Sequence, residues 1–224
     1  MKLLPAILTE SINLFQEQLE LAKQSERVET IHIDVIDGFF VDNITLTPLD
    51  LTVMDFGDLT IDFHFMTEEP MDFVHECEAL KSYLPIRRMI GQIERMSFQE
   101  DFLQEVKRSG WQPTLGLDIF TPLNAINEEA WSLLNGVLIM GVEAGHQNKI
   151  FNLHALEKAR QLRERFANPE EMSIIMDGGI KETNLRQILE SGANEVSVGS
   201  TLWKSNDPAE EIEVLHEIAE QLEL

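Results

Sequence analysis

Two histidines and two aspartates stand at or near the ends of three short apolar segments. His32 and Asp34 close one segment, His64 lies within the second, Asp62–Met66, and Asp177 ends the third. Imidazole nitrogens and carboxylate oxygens bind divalent metals, and a carboxylate also serves as a general acid or base. Together these side chains would form a two-imidazole, two-carboxylate site for Zn, Fe(II), Mn or Co, among which the donor types do not choose.

The spacing of these residues predicts that buried strands position them. Side chains two residues apart on a strand point to the same face, so His32 and Asp34 project together. Within Asp62–Met66 the same rule places Asp62, His64 and Met66 on one face and the two phenylalanines on the other. A strand that buries polar groups side by side must pair them or use them.

Short apolar runs alternate with amphipathic stretches along the whole chain, which predicts parallel strands joined by crossover helices. We expect one domain over residues 1–224, a (β/α)8 TIM barrel, with a doubly wound open sheet as the alternative. In such barrels the chemistry lies where strands end. The predicted strands are Leu3–Leu8, Thr30–Ile36, Leu59–Met66, Pro85–Ile90, Thr114–Ile119, Gly136–Val142, Ser173–Asp177 and Glu195–Val198. The predicted helices are Ile12–Gln24, Pro70–Lys81, Phe98–Ser109, Pro122–Leu134, Leu153–Phe166, Lys181–Ser191 and Pro208–Leu222.

The charge of the chain excludes two classes of partner. The formal net charge of −23 repels nucleic acid and anionic membrane surfaces. There is no apolar run of the length that a transmembrane helix needs, and the amino terminus lacks the pattern of a signal peptide. We therefore expect a cytoplasmic protein.

Several ordered blocks resemble the ribulose-phosphate 3-epimerase family, a family of ribulose-phosphate-binding barrels. The block that begins at His32 and reads HIDVIDGFFVDNITLTP is similar to the signature of that family. The order and spacing of the blocks extend over nearly the whole chain. The other blocks are Pro5–Thr9, Asp62–Met66, Gly116–Pro122, Asp177–Ile180 and Gly192–Ser200.

The resemblance implies a metal-assisted 1,1-proton transfer on a ketose phosphate, in its simplest form the conversion of D-ribulose 5-phosphate to D-xylulose 5-phosphate. It implies that His32, Asp34, His64 and Asp177 bind one divalent metal ion, and that Asp34 and Asp177 are also the catalytic acid and base. The metal would stabilise the enediolate formed when the C3 proton leaves. Homo-oligomeric assembly is a further implication of the resemblance.

The resemblance also implies where the substrate lies. Met66 and Met140 match an apolar wall, and Thr9 offers a hydroxyl where relatives carry serine. The phosphate would be bound after the last strands by Gly178, Gly179, Gly199 and Ser200 and by a loop that contains Gly145 and His146. That loop, 141–149, has lost most of the glycines typical of the family. Either His146 and Lys149 bring positive charge to the phosphate, or the loop has drifted.

Three alternatives to this substrate and chemistry remain open. A hexulose phosphate would use the same metal set with a different pocket. A metal-free sugar-phosphate decarboxylase of the same barrel class needs a lysine within an Asp-x-Lys array, and Ile36 stands at that position, which counts against it. A catalytically degenerate family member would bind a sugar phosphate without turning it over.

Overall fold

Eight parallel strands close into a barrel in chain order. The structure, a computed structural model, describes residues 1–145, 149–166, 168 and 171–223. Each strand pairs in parallel with the next, and β1 pairs with β8, so the alternative of an open sheet is wrong and the (β/α)8 barrel is confirmed. The strands are β1 Lys2–Ile7, β2 Thr30–Ile36, β3 Thr60–Met66, β4 Ile86–Gln92, β5 Gln112–Leu117, β6 Gly136–Met140, β7 Ser173–Asp177 and β8 Glu195–Val198.

Helices cover the outside of the barrel. In α3 the apolar residues recur at helical spacing and are buried, while acidic residues in the first turn and basic residues in the last turn complement the helix dipole. None of the helices in the described ranges has the length and apolar character needed to cross a membrane. The helices are α1 Ile12–Lys23, α2 Pro70–Ala79, α3 Gln99–Arg108, α4 His154–Arg165, α5 Glu182–Glu190, α6 Ser200–Trp203 and α7 Pro208–Glu223.

The strands are buried on both faces, as parallel barrel strands must be. On β2, Ile31, Ile33 and Val35 belong to the large apolar core between barrel and helices. The alternate residues of β2 face the barrel interior, which brings His32 and Asp34 inside. The alternation of apolar and polar residues along the strand therefore decides which side chains point into the barrel.

The segment Pro122–Leu134 is not the helix that its pattern predicts. It forms two short 3-10 helices, Leu123–Ala125 and Glu129–Leu133, with an extended residue, Ile126, after the first. The amide of Gln99 replaces helical hydrogen bonds at the break, since it donates to the carbonyl of Ala125 and accepts from the N–H of Asn127. A contact between distant parts of the chain therefore ends the helix.

Strand β4 continues two residues beyond its predicted end. Gly91 and Gln92 pair with Leu115 and Gly116 of β5, although a glycine at the end of an apolar run is typical of a turn. The extension places the Gln92 side chain inside the barrel, where it is fully buried.

Asp62 does not lie near the carboxyl ends of the strands, although its place beside His64 in the sequence suggests that it does. Arg87 donates to both of its carboxylate oxygens. Arg88 donates through two nitrogens to Glu195, at 2.8 and 2.9 Å. Because Glu195 is the first residue of β8, this buried ion-pair network fills the amino-terminal end of the barrel, opposite the strand ends where His64 and Asp177 lie.

Candidate metal centre and substrate cavity

The register of β2 and β3 sets Asp34 beside His64. The two residues are directly paired across the strands, and Nδ1 of His64 lies 3.0 Å from Oδ1 of Asp34. The same carboxylate oxygen lies 3.2 Å from Nε2 of His32, two residues earlier on β2. One aspartate thus contacts two imidazoles, because all three side chains point into the barrel.

Strand β7 brings a second carboxylate to the same imidazoles. Oδ2 of Asp177 lies 3.6 Å from Nδ1 of His64 and 3.9 Å from Nε2 of His32. One ligand atom from each of the four residues lies within 4.8 Å of the others, and all four residues are buried. The structure therefore brings together the four residues predicted from three separate segments of the sequence.

The donor set fits a divalent ion. Ligand bonds of about 2.1 Å to one ion place neighbouring donor atoms roughly 3.0–3.5 Å apart. The four nitrogen-to-oxygen distances between the imidazoles and the carboxylates run from 3.0 to 3.9 Å. Two imidazole nitrogens and two carboxylate oxygens suit Zn, Fe(II), Mn or Co alike.

The charges of the buried cluster favour a positive charge beside its carboxylates. Burial alone lowers the pKa of His64, but hydrogen bonds to Asp177 and Asp34 outweigh burial and raise this pKa to about 10. Burial alone raises the pKa of Asp34, but hydrogen bonds from His32 and His64 hold it well below its usual range. Asp34 is therefore ionised at neutral pH and favours a cation beside it.

A cavity opens from this cluster at the carboxyl ends of the strands. Both aspartates line it, together with seven of the residues predicted to contact substrate or phosphate. The two predicted methionines are almost fully buried and belong to an apolar cluster inside the barrel mouth, which gives the cavity a dry wall. The seven residues are Met66, Met140, Gly145, Gly178, Gly179, Gly199 and Ser200.

The glycines after β7 allow the backbone to turn closely around the cavity. Gly178 and Gly179 have φ values of 88° and 73°, a region that favours glycine. A Cβ on Gly179 would lie 2.9 Å from the backbone nitrogen of Phe151. After β8, Gly199 precedes Ser200, the first residue of the short helix α6.

The loop after β6 contacts the loop after β2. Gly145 has a φ of 76°, and a Cβ there would lie 2.3 Å from Cγ2 of Val41. Phe40 and Val41 also pack against the apolar cluster at the barrel mouth. The two loops therefore meet over one side of the cavity.

Two predicted substrate residues have a different outcome. Thr9 does not line the cavity, and Ala6 and Leu8 of the same segment do. The Thr9 hydroxyl instead accepts a hydrogen bond from the N–H of Ser11, which precedes α1. His146 lies outside the described residues.

Two further polar residues face this end of the barrel and were not anticipated. Ser197 on β8 pairs in register with Asp177 and lines the cavity, and its buried hydroxyl has no hydrogen-bond partner within the described residues. Gln92 contacts His64. The alternation of β8 was a usable signal for Ser197, since it lies two residues before Gly199, whereas Gln92 depended on the unexpected end of β4.

Comparisons with known proteins agree with this architecture. Residues 2–203 match the model of the ribulose-phosphate 3 epimerase family. The chain is 32% identical to the ribulose-phosphate 3-epimerase of Aquifex aeolicus, covering 92% of each protein. It is 31% identical to the chloroplastic ribulose-5-phosphate-3-epimerase of Arabidopsis thaliana, covering 93% of this chain and 73% of the relative.

Solved structures show the same fold at greater distance. A crystal structure of 3-hexulose-6-phosphate synthase aligns with a TM-score of 0.69 and 15% identity, covering 97% of this chain and 99% of that one. At that identity the likeness concerns the barrel alone. The match to the family model and the identities to the curated relatives carry the assignment: the chain belongs to the ribulose-phosphate 3-epimerase family, whose members are isomerases.

Proposed function

We propose that this protein is a metal-dependent 3-epimerase of a ketose phosphate and that its substrate is D-ribulose 5-phosphate, converted reversibly to D-xylulose 5-phosphate. The observation that carries the proposal is that two aspartates from different strands lie beside the same two histidines. Asp34 on β2 and Asp177 on β7 each have a carboxylate oxygen within 3.9 Å of both imidazoles, and both aspartates line the cavity.

The four clustered side chains would hold the metal. His32 offers Nε2, His64 offers Nδ1, and each aspartate offers one carboxylate oxygen. When bound, a divalent ion would supply Lewis-acid stabilisation of the negative charge that develops on the substrate.

The two carboxylates supply the proton transfers. Inversion at C3 requires removal of a proton from one face and delivery of a proton to the other. Asp34 is ionised and would accept the C3 proton, while Asp177, which lines the same cavity from β7, would start protonated and deliver its proton to the opposite face. In the reverse direction the two residues exchange roles.

The apolar wall of the cavity would exclude water, and the end bounded by glycines would bind the phosphate. Met66 and Met140 exclude water from the reacting carbon, which protects the enediolate from unselective protonation. The phosphate would lie at the end bounded by Gly178, Gly179 and Ser200, where backbone N–H groups would bind an anion.

The decisive experiment is proton exchange in deuterated water with a panel of pentulose and hexulose phosphates. Protein loaded with Zn, Mn, Fe(II) or Co should exchange the C3 proton of ribulose 5-phosphate and form xylulose 5-phosphate, which NMR detects directly. Exchange with only a hexulose phosphate would correct the substrate. A folded protein that binds each of these metals and exchanges no substrate would refute the epimerase function and indicate a catalytically degenerate family member.

A further inference from the structure

Gln92 joins the candidate metal ligand His64 to a carboxylate outside the metal cluster. Its Oε1 lies 3.2 Å from Nε2 of His64, and its Nε2 donates to Oε2 of Glu94 at 3.1 Å. The Gln92 side chain is fully buried at the end of β4. The nitrogen of His64 that contacts Gln92 is therefore the one that faces away from Asp34 and Asp177.

The donor and acceptor groups of the neighbouring side chains determine which atom donates in the contact between Gln92 and His64. A carboxylate only accepts hydrogen bonds, so the Gln92 NH2 group must face Glu94. The amide oxygen then faces His64, and since that oxygen only accepts, Nε2 of His64 must carry a proton and donate it. In the neutral ring the lone pair is consequently on Nδ1, the atom that points at the two aspartates.

The orientation of Gln92 is fixed from two further sides. The second carboxylate oxygen of Glu94 accepts the backbone N–H of Asp118 at 2.8 Å, which anchors Glu94. On the neighbouring strand, Gln92 pairs with Gly116, where a Cβ would lie 2.0 Å from the amide oxygen and 3.3 Å from Nε2 of His64. Any larger residue at position 116 would displace the amide.

We propose that Gln92 is a positioning residue for the metal centre: its amide, oriented by Glu94 and accommodated by Gly116, fixes His64 as an Nδ1 ligand. This inference rests on the proposed metal site. Outer hydrogen bonds of this kind hold a ligating imidazole in one tautomer and one orientation, and their loss typically reduces metal affinity by about 10–100-fold.

The test is zinc affinity, measured on metal-stripped protein by competition with a chromophoric chelator. Gln92→Met keeps the side-chain length and removes the acceptor, and Gly116→Ala displaces the amide by an independent route. Each should raise the dissociation constant for zinc by roughly 10–100-fold. Gln99→Met is the matched control, because Gln99 is a buried amide whose hydrogen bonds within the described residues go to the backbone of Ala125 and Asn127 and to none of the cluster residues, and it should leave zinc affinity unchanged.

A double variant tests the direction of the hydrogen bonds. Gln92→Glu combined with Glu94→Gln reverses the outer pair, but the carboxylate introduced at position 92 still accepts from His64. This variant should bind zinc within a few-fold of the wild-type protein. In 15N-histidine NMR of the zinc-loaded wild type, His64 should show a bound Nδ1 and a protonated Nε2, and Gln92→Met should alter that pattern.

The positioning role and the epimerase function fail in different ways. Wild-type zinc affinity in Gln92→Met, with unchanged 15N signals of His64, would overturn the role of Gln92 while leaving the epimerase function intact. A wild-type protein that binds zinc through Nε2 of His64 would overturn it as well. Because zinc affinity does not depend on turnover, failure of proton exchange alone would refute only the function.

Discussion

Nδ1 of His64 and Oδ1 of Asp34 lie 3.0 Å apart although thirty residues separate them in the chain. The contact exists because the parallel register of β2 and β3 pairs these two residues directly. The second strand thus adds an imidazole to a carboxylate that already contacts His32, so three polar side chains from two adjacent strands meet at one point.

The first prediction concerns metal content. His64→Ala and His32→Ala each remove one of four donors, so purified protein should retain far less than the one divalent ion per chain expected for the wild type. Elemental analysis after dialysis measures this directly. His216→Ala is the control, since His216 is a buried histidine on α7 rather than a member of the cluster, and it should keep the metal. Full metal content in both cluster variants would contradict the ligand set.

The barrel and the cluster of two histidines and two aspartates were predictable because each depends on a local pattern. Alternating burial on β2 and β3 places polar side chains inside, and the carboxyl ends of parallel strands converge at one mouth. Asp62 follows the same alternation but lies nearer the amino-terminal end, where Arg87 and Arg88 of the next strand pair with it. The face of a residue is thus readable from the sequence, whereas its ion-pair partners depend on the neighbouring strands.

The features that sequence reasoning missed depend on contacts between distant segments. The helix predicted over Pro122–Leu134 is interrupted because Gln99 bonds to the backbone there. Gln92 was not recognised because the extension of β4 is decided by pairing with β5. In both places a buried glutamine amide contacts a group 26 to 28 residues away along the chain, and no local pattern reports such a contact.

The second prediction concerns the proton transfers. Asp177→Asn has nearly the same size but neither accepts nor delivers a proton, so exchange of the C3 proton should fall by at least about 100-fold. The exchange rate of Asp34→Asn should fall by a comparable factor. The measurement is NMR-detected exchange in deuterated water, with circular dichroism to verify the fold. Asp55→Asn, at an exposed turn, is the matched control. An Asp177→Asn enzyme with near-normal exchange would assign the proton transfer to another group.

The third prediction concerns the contact between the two mouth loops. Gly145→Ala places a methyl group against Val41 and in a left-handed backbone conformation that costs alanine roughly 1–2 kcal/mol. We expect the KM for the ketose phosphate to rise by up to about tenfold, since that energy corresponds to about one order of magnitude in binding.

A double variant separates crowding from backbone strain. Val41→Ala in the Gly145→Ala background removes the overlapping methyl groups and should recover part of the lost affinity, leaving the part that is due to φ. Steady-state kinetics of the four proteins gives the coupling between the two sites. Strictly additive effects on KM would contradict a direct contact between the loops.

The fourth prediction concerns acid stability and the opposite end of the barrel. Burial alone raises the pKa of Glu195, but the charges of Arg88 and Arg87 outweigh burial and lower it to about 2, from an ordinary value near 4.5. Because the folded-state pKa of Glu195 is depressed, its ion pairs with Arg88 and Arg87 stabilise the folded protein above pH 4.5. This stabilisation is lost as the pH falls towards 2. The shift corresponds to about 3 kcal/mol at neutral pH.

Glu195→Gln tests this assignment, because an amide does not titrate. The variant should be less stable than the wild type at pH 7, by about 3 kcal/mol, since the buried Arg88 then loses one of its two carboxylate partners and keeps only the longer ion pair to Asp62, at 3.4 Å. The difference in the free energy of unfolding should shrink between pH 4.5 and pH 2, where the wild type also loses the charge of this group. Urea unfolding at a series of pH values measures both quantities. A difference that stayed constant across that interval would show that Glu195 acts through its shape and hydrogen bonds rather than through its charge.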